Sequence, residues 1–307
     1  MDWWIILLIV LGSLLVLALL GYLSFVFGIS NMMANKICTP KHYKTKTDKD
    51  EELAKLGKID GVDQYQRTPI EFVMKDGYIL HGDYSLNNPK KFVICMHGHS
   101  SNREGQLKYA YAFYRLGYSI IFYDHRSHGE NERQYVTMGY REHLDALEVF
   151  KQVREKFGQD IELGLFGCSM GGATALMCLK EEQNLSFVVS DCAPSSLKEM
   201  VREICIVHKS PPGIFLIITN LLLKMKFHFS YKNSCAVDAV KENKNVPVLF
   251  IHGDKDGFVF PLNAEILYNA CASKKRLEMF ENAEHCGSVV VDKERYYKVI
   301  EEFIKDK

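Results

Sequence analysis

The chain has 307 residues, 47% of them hydrophobic, and lysines plus arginines balance aspartates plus glutamates at 38 each. This is enough apolar material for one large core, and the absence of a net positive field argues against nucleic acid as a partner. The nine cysteines are odd in number, with no CxxC pair and no finger-like Cys/His spacing, so they read as buried thiols of a reducing compartment.

In chain order, the first feature is an uncharged, almost wholly apolar run from Trp3 to Phe27. At 1.5 Å per residue it is long enough to cross a hydrocarbon core of about 30 Å. The start "MDWW" lacks the basic n-region of a secretory signal, and the apolar run is too long for an h-region. Residues 1–30 are therefore expected to form a membrane-spanning anchor, with membrane lipid as its partner and Trp3, Trp4 and Tyr22 at the interfaces. Lys36, Lys41, Lys44, Lys46 and Lys49 follow the span while only Asp2 precedes it, which places the main domain in the cytoplasm by the positive-inside rule. Residues 31–62 are polar, lysine-rich and weakly periodic, as expected of a tether or an early helical flank.

From residue 63 the pattern changes. "TPIEFVM", the turn "KDG" and "YILHGDYSL" predict a β-hairpin. "KFVICMHGH", "YSIIFYDH", "ELGLFGCS", "SFVVSDCA", "VPVLFIHGD" and "KRLEMFENAEH" follow, each a near-continuous apolar run suited to a strand buried on both faces. Helices are expected between them over Arg103–Leu116, Gly139–Phe157, Met170–Glu182, Pro261–Ala272 and Asp292–Ile304. This alternation predicts an α/β fold: a doubly wound, mostly parallel sheet of about eight strands with helices on both faces. The interval 195–245 has no strand but contains "GIFLIITNLLL", short for a membrane span, so it is expected to be a helical cap over the carboxyl ends of the strands.

The chemistry concentrates at those strand ends. Gly167-Cys168-Ser169-Met170-Gly171 fits G-x-S-x-G, a weak signal alone, but it lies where a strand ends and a helix starts, the setting of a nucleophile elbow. A serine hydroxyl needs a base, and the base needs a partner that fixes its tautomer. His285, after the last strand, is the expected base; His81, His97 and His252 lie within strands and read as packed or hydrogen-bonded core residues. Asp256, after the penultimate strand, ranks first as the acid, ahead of Asp191 and Asp254, and Asp254 also suits a turn cap. The order Ser169, Asp256, His285 is the hydrolase order. The N–H groups of Met170 and of His99, in the loop "CMHGHSSN", are the expected oxyanion donors. Cys168 and Cys286 adjoin triad positions but point elsewhere as packing residues.

Together "MHGHSSN", "YDHRSHGEN", "GLFGCSMGG", "IHGDKDGFVFP" and "AEHCG" resemble the α/β-hydrolase superfamily from about Arg67 to the C-terminus, in motif order. The branch most resembled is that of bacterial, membrane-anchored serine hydrolases related to serine aminopeptidases and acylaminoacyl-type peptidases. The resemblance implies Ser169 as nucleophile, Asp256 as acid, His285 as base, His99 and Met170 at the oxyanion hole, and structural roles for Asp124, Arg126 and His128. It also implies that no metal or organic cofactor is needed. A metallohydrolase reading of His97, His99, His125 and His128 fails because Ser101 and Asn102 stand where H-x-H-x-D-H requires Asp and His.

The expected activity is hydrolysis of an ester with an apolar acyl part through an acyl-enzyme. Peptides and thioesters are the alternative substrates, and a catalytically silent receptor or scaffold on the same sheet is the alternative from another class.

Overall fold

The structure, a computed structural model, describes residues 2–40 and 66–307. Helix α1 (Trp3–Cys38) opens it, and the hairpin β1 (Thr68–Val73) and β2 (Ile79–Ser85) follows. Then come β3 (Lys91–Met96), a single 3₁₀ turn (Arg103–Gln106), α2 (Leu107–Tyr114), β4 (Ser119–Tyr123), α3 (Tyr140–Phe157), β5 (Glu162–Cys168) and α4 (Met170–Cys178). The second half runs β6 (Phe187–Asp191), α5 (Leu197–Val207), α6 (Pro212–Phe227), α7 (Ala236–Glu242), β7 (Val248–Gly253), α8 (Leu262–Ala270), β8 (Lys275–Phe280), α9 (Ser288–Val291) and α10 (Lys293–Asp306).

Among the described residues the strands form one eight-stranded sheet in the order β1-β2-β4-β3-β5-β6-β7-β8. β2 is antiparallel to both β1 and β4, and the six strands from β3 onward run parallel. Parallel pairing puts the carboxyl ends of β5, β6, β7 and β8 along one edge of the sheet, which is where loops can converge on a site.

Alternation along the strands divides the core. Phe92, Ile94 and Met96 of β3 face a layer built from α3, α4, α7 and α8, whereas Val93 and Cys95 face α2 and α10. Both faces are covered, which is why the central strands are mostly apolar on both faces, with buried polar residues such as Ser190, Asp191 and His252 near their carboxyl ends. A third apolar cluster joins α5 and α6 to the end of α1 through Val201, Phe215, Leu222, Leu223, Met33 and Ile37.

Two segmental expectations need correction. The segment from Asn31 was expected to be a tether or an early helical flank, and over its first residues the tether reading gives way to the flank: α1 continues to Cys38, and Ser30, Met33, Ala34, Ile37 and Cys38 are buried. The cause is packing: at three- and four-residue spacing these residues form one helical face that docks against α6, leaving Asn31, Asn35 and Lys36 at its margin. The remainder of the expected tether lies outside the described residues, apart from Thr39 and Pro40. Within the interval 195–245, only α5 and α6 form a layer of their own, because Ala236 and Val240 of α7 pack into the core beneath the sheet.

Candidate active site

β5 ends at Cys168 and α4 begins at Met170, so Ser169 alone makes the reversal. Its backbone sits at φ 54° and ψ −121°, a conformation that costs a non-glycine residue about 1–3 kcal/mol. The turn closes because its neighbours lack side chains. A Cβ on Gly167 would fall 2.2 Å from Gly171 O, and one on Gly171 would fall 2.2 Å from Met96 O. The Ser169 N–H donates to Asp191 O at 2.8 Å, tying the elbow to the next strand.

The loops after β7 and β8 bring in the partners. Asp256 is buried, and its Oδ1 accepts from the N–H groups of Phe258 and Val259 at 2.9 Å each. Its Oδ2 accepts from His285 Nδ1 at 2.7 Å, with His252 Nε2 at 3.2 Å. Burial opposes a charge on Asp256, but hydrogen bonds from His252 and His285 and the His285 charge outweigh it and hold this carboxyl well below the usual range.

The other ring nitrogen of His285, Nε2, lies 2.9 Å from Ser169 Oγ. With Nδ1–H committed to the carboxylate, Nε2 carries the lone pair and accepts from the serine hydroxyl. Burial opposes the imidazolium, while the Cys286 sulfur and the Asp256 carboxylate favour it, and the net direction for His285 is upward. Cys286 keeps its own proton more tightly than a free thiol despite its contact with Cys168. The lasting cause is therefore the Asp256 carboxylate.

The other two candidate acids face different groups. Asp191, at the end of β6, accepts from the Tyr296 hydroxyl at 2.9 Å, and burial raises its carboxyl to about 6. Asp254 accepts from the Asn282 N–H at 2.6 Å and so pins the turn after β8.

The loop after β3 lies over the elbow: a Cβ on Gly98 would sit 3.2 Å from Ser169 Cβ. Neutral imidazoles hold this loop. His97 Nδ1 pairs with Gly98 O at 2.7 Å while its Nε2 accepts the His125 N–H at 2.9 Å. His128 Nδ1 pairs with Arg126 O at 2.8 Å and its Nε2 accepts the Ser100 N–H at 3.1 Å. Burial lowers the pKa of His97, His125 and His128, consistent with these neutral forms. The His99 side chain points away from Ser169: its Nε2 pairs with Ile37 O at 3.0 Å and its Nδ1 with Ser100 Oγ at 3.0 Å.

"DHRSHG" is built into the scaffold around this loop. Asp124 accepts from the Arg103 N–H at 2.8 Å and from its guanidinium. Arg126 makes a bidentate pair with Asp145 at 2.6 and 2.8 Å and lies 4.4 Å over the Tyr78 ring.

Four neighbours, Glu203, Phe258, Cys192 and Gln106, escaped sequence reasoning, as did the closeness of His252 to Asp256. His252 Nε2–H donates to Val259 O at 2.9 Å and also lies 3.2 Å from Asp256 Oδ2, a proximity hidden by its place inside an apolar strand. Glu203, on α5, accepts from Asn263 Nδ2 and from the Phe260 N–H at 3.2 Å, clamping the cap to the loop that carries Asp256. Phe258, 53% exposed, stands with its ring 5.1 Å from that of His285. Cys192 places its sulfur 3.4 Å from Cys286 Sγ, and Gln106 Nε2 lies 3.5 Å from Cys168 Sγ. Burial pushes the Cys192 thiol up to about 12, so these are protonated packing groups. Ligand atoms of Cys192, His285 and Cys286 lie within 4.8 Å of one another, but both nitrogens of His285 are already engaged by Asp256 and Ser169.

The sequence profile of the serine aminopeptidase S33 family matches residues 87–241, just over half of the chain. The chain is 28% identical over 272 residues to protein YqkD of Bacillus subtilis, covering 85% of this chain and 88% of that protein. It is 22% identical over 250 residues to protein bem46 of Schizosaccharomyces pombe, covering 79% of this chain and 77% of that protein. Among solved structures it resembles the esterase Pf2001 of Pyrococcus furiosus, with a TM-score of 0.67, 21% identity and coverage of 88% of this chain and 98% of that one. The fold is that of the α/β hydrolases.

Proposed function

The chain belongs to the serine aminopeptidase S33 family, and from that premise we propose that it is a serine hydrolase of carboxylic esters, with Ser169 as nucleophile, His285 as base and Asp256 as acid. The observation that carries this reading is the single imidazole spanning 2.9 Å to Ser169 Oγ and 2.7 Å to Asp256 Oδ2.

Ser169 Oγ attacks the acyl carbonyl as its proton passes to His285 Nε2, and Asp256 stabilises the imidazolium that results. The N–H groups of Met170 and His99 stabilise the oxyanion; the closed backbone of the elbow orients the first beforehand, and the histidine-held loop after β3 orients the second. On collapse the acyl–oxygen bond breaks and the His285 proton goes to the departing alcohol. Water, deprotonated by His285, then releases the acid from the acyl-enzyme.

The helix α1 is the membrane anchor in this reading. Its 36 residues, about 54 Å of helix, exceed the roughly 30 Å needed to cross, so its last turns emerge from the bilayer. Those turns are buried in the cap, which favours a retained anchor over a cleaved signal. The lysines that follow put the catalytic domain on the cytoplasmic side.

A panel of p-nitrophenyl esters, aminoacyl amides and acyl thioesters, offered to wild type and Ser169→Ala, tests the reading. Ester hydrolysis lost in the alanine variant is the expected result. Activity that survives the substitution removes Ser169 from the mechanism, and preference for amides or thioesters reassigns the substrate.

A further inference from the structure

A cavity of about 330 Å³ lies where α1 meets the cap, a volume at the lower end of the range for small-molecule sites. Phe25, Ile29, Met33 and Ile37 of α1 form one wall, and Ile204 and Phe215 stand among the residues opposite. Lys36, His208 and Ser210 are the polar members of an otherwise apolar lining.

Two observations tie this cavity to the bilayer on one side and to the reaction on the other. First, helix α6 carries apolar residues on both faces. It buries Phe215, Thr219, Leu222 and Leu223 on one face, yet Ile217, Leu221 and Met225 remain 71%, 52% and 66% exposed at four-residue spacing on the other, with Lys224 exposed beside them. An exposed apolar stripe with a lysine at its margin marks a contact site and suits a lipid interface. Ile206 and Val207, at the end of α5, and Phe25 and Met32, on α1, are exposed beside the cavity as well. This apolar surface continues from the membrane-spanning part of α1, so the bilayer is what covers it.

Second, the cavity wall reaches the oxyanion loop. Ile37 lines the cavity, and its carbonyl is the partner of His99 Nε2 at 3.0 Å. Met170, the residue after Ser169, packs in the same apolar cluster as Met33, Ile37 and Phe215. The His99 ring is thus held by a residue of the cavity wall, and the Met170 side chain belongs to the apolar cluster that continues from that wall.

We propose that the cavity between α1 and the cap receives the fatty acyl chain of an ester resident in the bilayer, and that α6 lies in the membrane interface so that the chain enters without crossing water. This rests on the serine hydrolase reading and names its substrate class as membrane acyl esters. The membrane helix then forms one wall of the acyl site as well as holding the enzyme at the surface.

The test uses the full chain in phosphatidylcholine vesicles with p-nitrophenyl butyrate and p-nitrophenyl laurate, comparing wild type with Ile29→Trp, which fills the cavity. The expected result is a fall of at least ten-fold in the ratio of kcat/KM for laurate to kcat/KM for butyrate. Equal retention or equal loss of both activities overturns the proposal. Butyrate hydrolysis that does not require Ser169 overturns the hydrolase reading instead, so the two failures are distinct.

A second measurement does not depend on the variant folding. A fatty acyl ester with a diazirine at mid-chain, photolysed in vesicles with wild type, is expected to label Ile204 or Phe215 on the cap wall. Labelling confined to Trp3–Leu23 would show only lipid around the span and would overturn the proposal.

Discussion

The carboxyl edge of the sheet and the α1–cap layer use the same apolar residue types for opposite purposes. Along β5, β6 and β7 every apolar side chain is buried between two helix layers, and the loops beyond are fixed by backbone carbonyls, neutral histidines and one carboxylate. In the cap, α6 buries one stripe and exposes another. The first region is over-determined, as positioning the proposed nucleophile requires. The second leaves apolar surface exposed, as the proposed contact with lipid requires.

The sharpest break in this contrast is at the nucleophile. Ser169→Ala is expected to lower kcat on an ester by on the order of 10⁶ while leaving the circular dichroism spectrum unchanged. Asp256→Asn is expected to lower kcat by about 10⁴ by supplying His285 with the wrong tautomer. The same change has a signed pH effect. Asp256 raises the His285 pKa, and the base works only when neutral, so kcat/KM falls as pH drops through that value. Removing the carboxylate lowers the pKa, and the acid limb of the residual activity moves to lower pH.

Backbone closure comes next. Gly171→Ala sets a methyl against Met96 O and is expected to destabilise the fold by about 3 kcal/mol, measured by urea unfolding. In the cap layer, Leu221→Ala removes an exposed side chain and is expected to change stability by no more than about 0.5 kcal/mol while weakening retention on vesicles of the domain freed from the span.

Glu203 joins the two regions and gives the smallest signal. Burial raises its carboxyl from 4.5 to about 7, so the folded state holds this proton more tightly than the unfolded chain. Its contribution to stability is present in full below the unfolded value and declines as pH rises through 7. Glu203→Gln is expected to flatten the fall in melting temperature between pH 5 and 8.

The same contrast explains what the sequence made legible. Strands buried on both faces read as unbroken runs such as "FVVSD" and "VLFIHG", and the elbow glycines, Asp256 and His285 follow directly on such runs. Helix ends were less legible: α4 stops at Cys178 rather than Glu182, since the helix formers "KEE" prolong the sequence pattern although Leu179 is the last residue there to pack into the core. The docking of Asn31–Cys38 was obscured by Asn31, Asn35 and Lys36, whose polarity masked the apolar face of Met33, Ala34 and Ile37. Glu203 could not be placed against Phe260 and Asn263 from one sequence, since only the fold brings α5 against the loop after β7.

The central claim is that Ser169 is the activated nucleophile of a serine hydrolase. Treating the folded full-length chain with a fluorophosphonate and mapping the adduct by peptide mass spectrometry tests it most directly. One phosphonyl group on Ser169, absent in His285→Ala, is the result expected here. A folded protein that stays unmodified, or one modified elsewhere with Ser169 untouched, would contradict it.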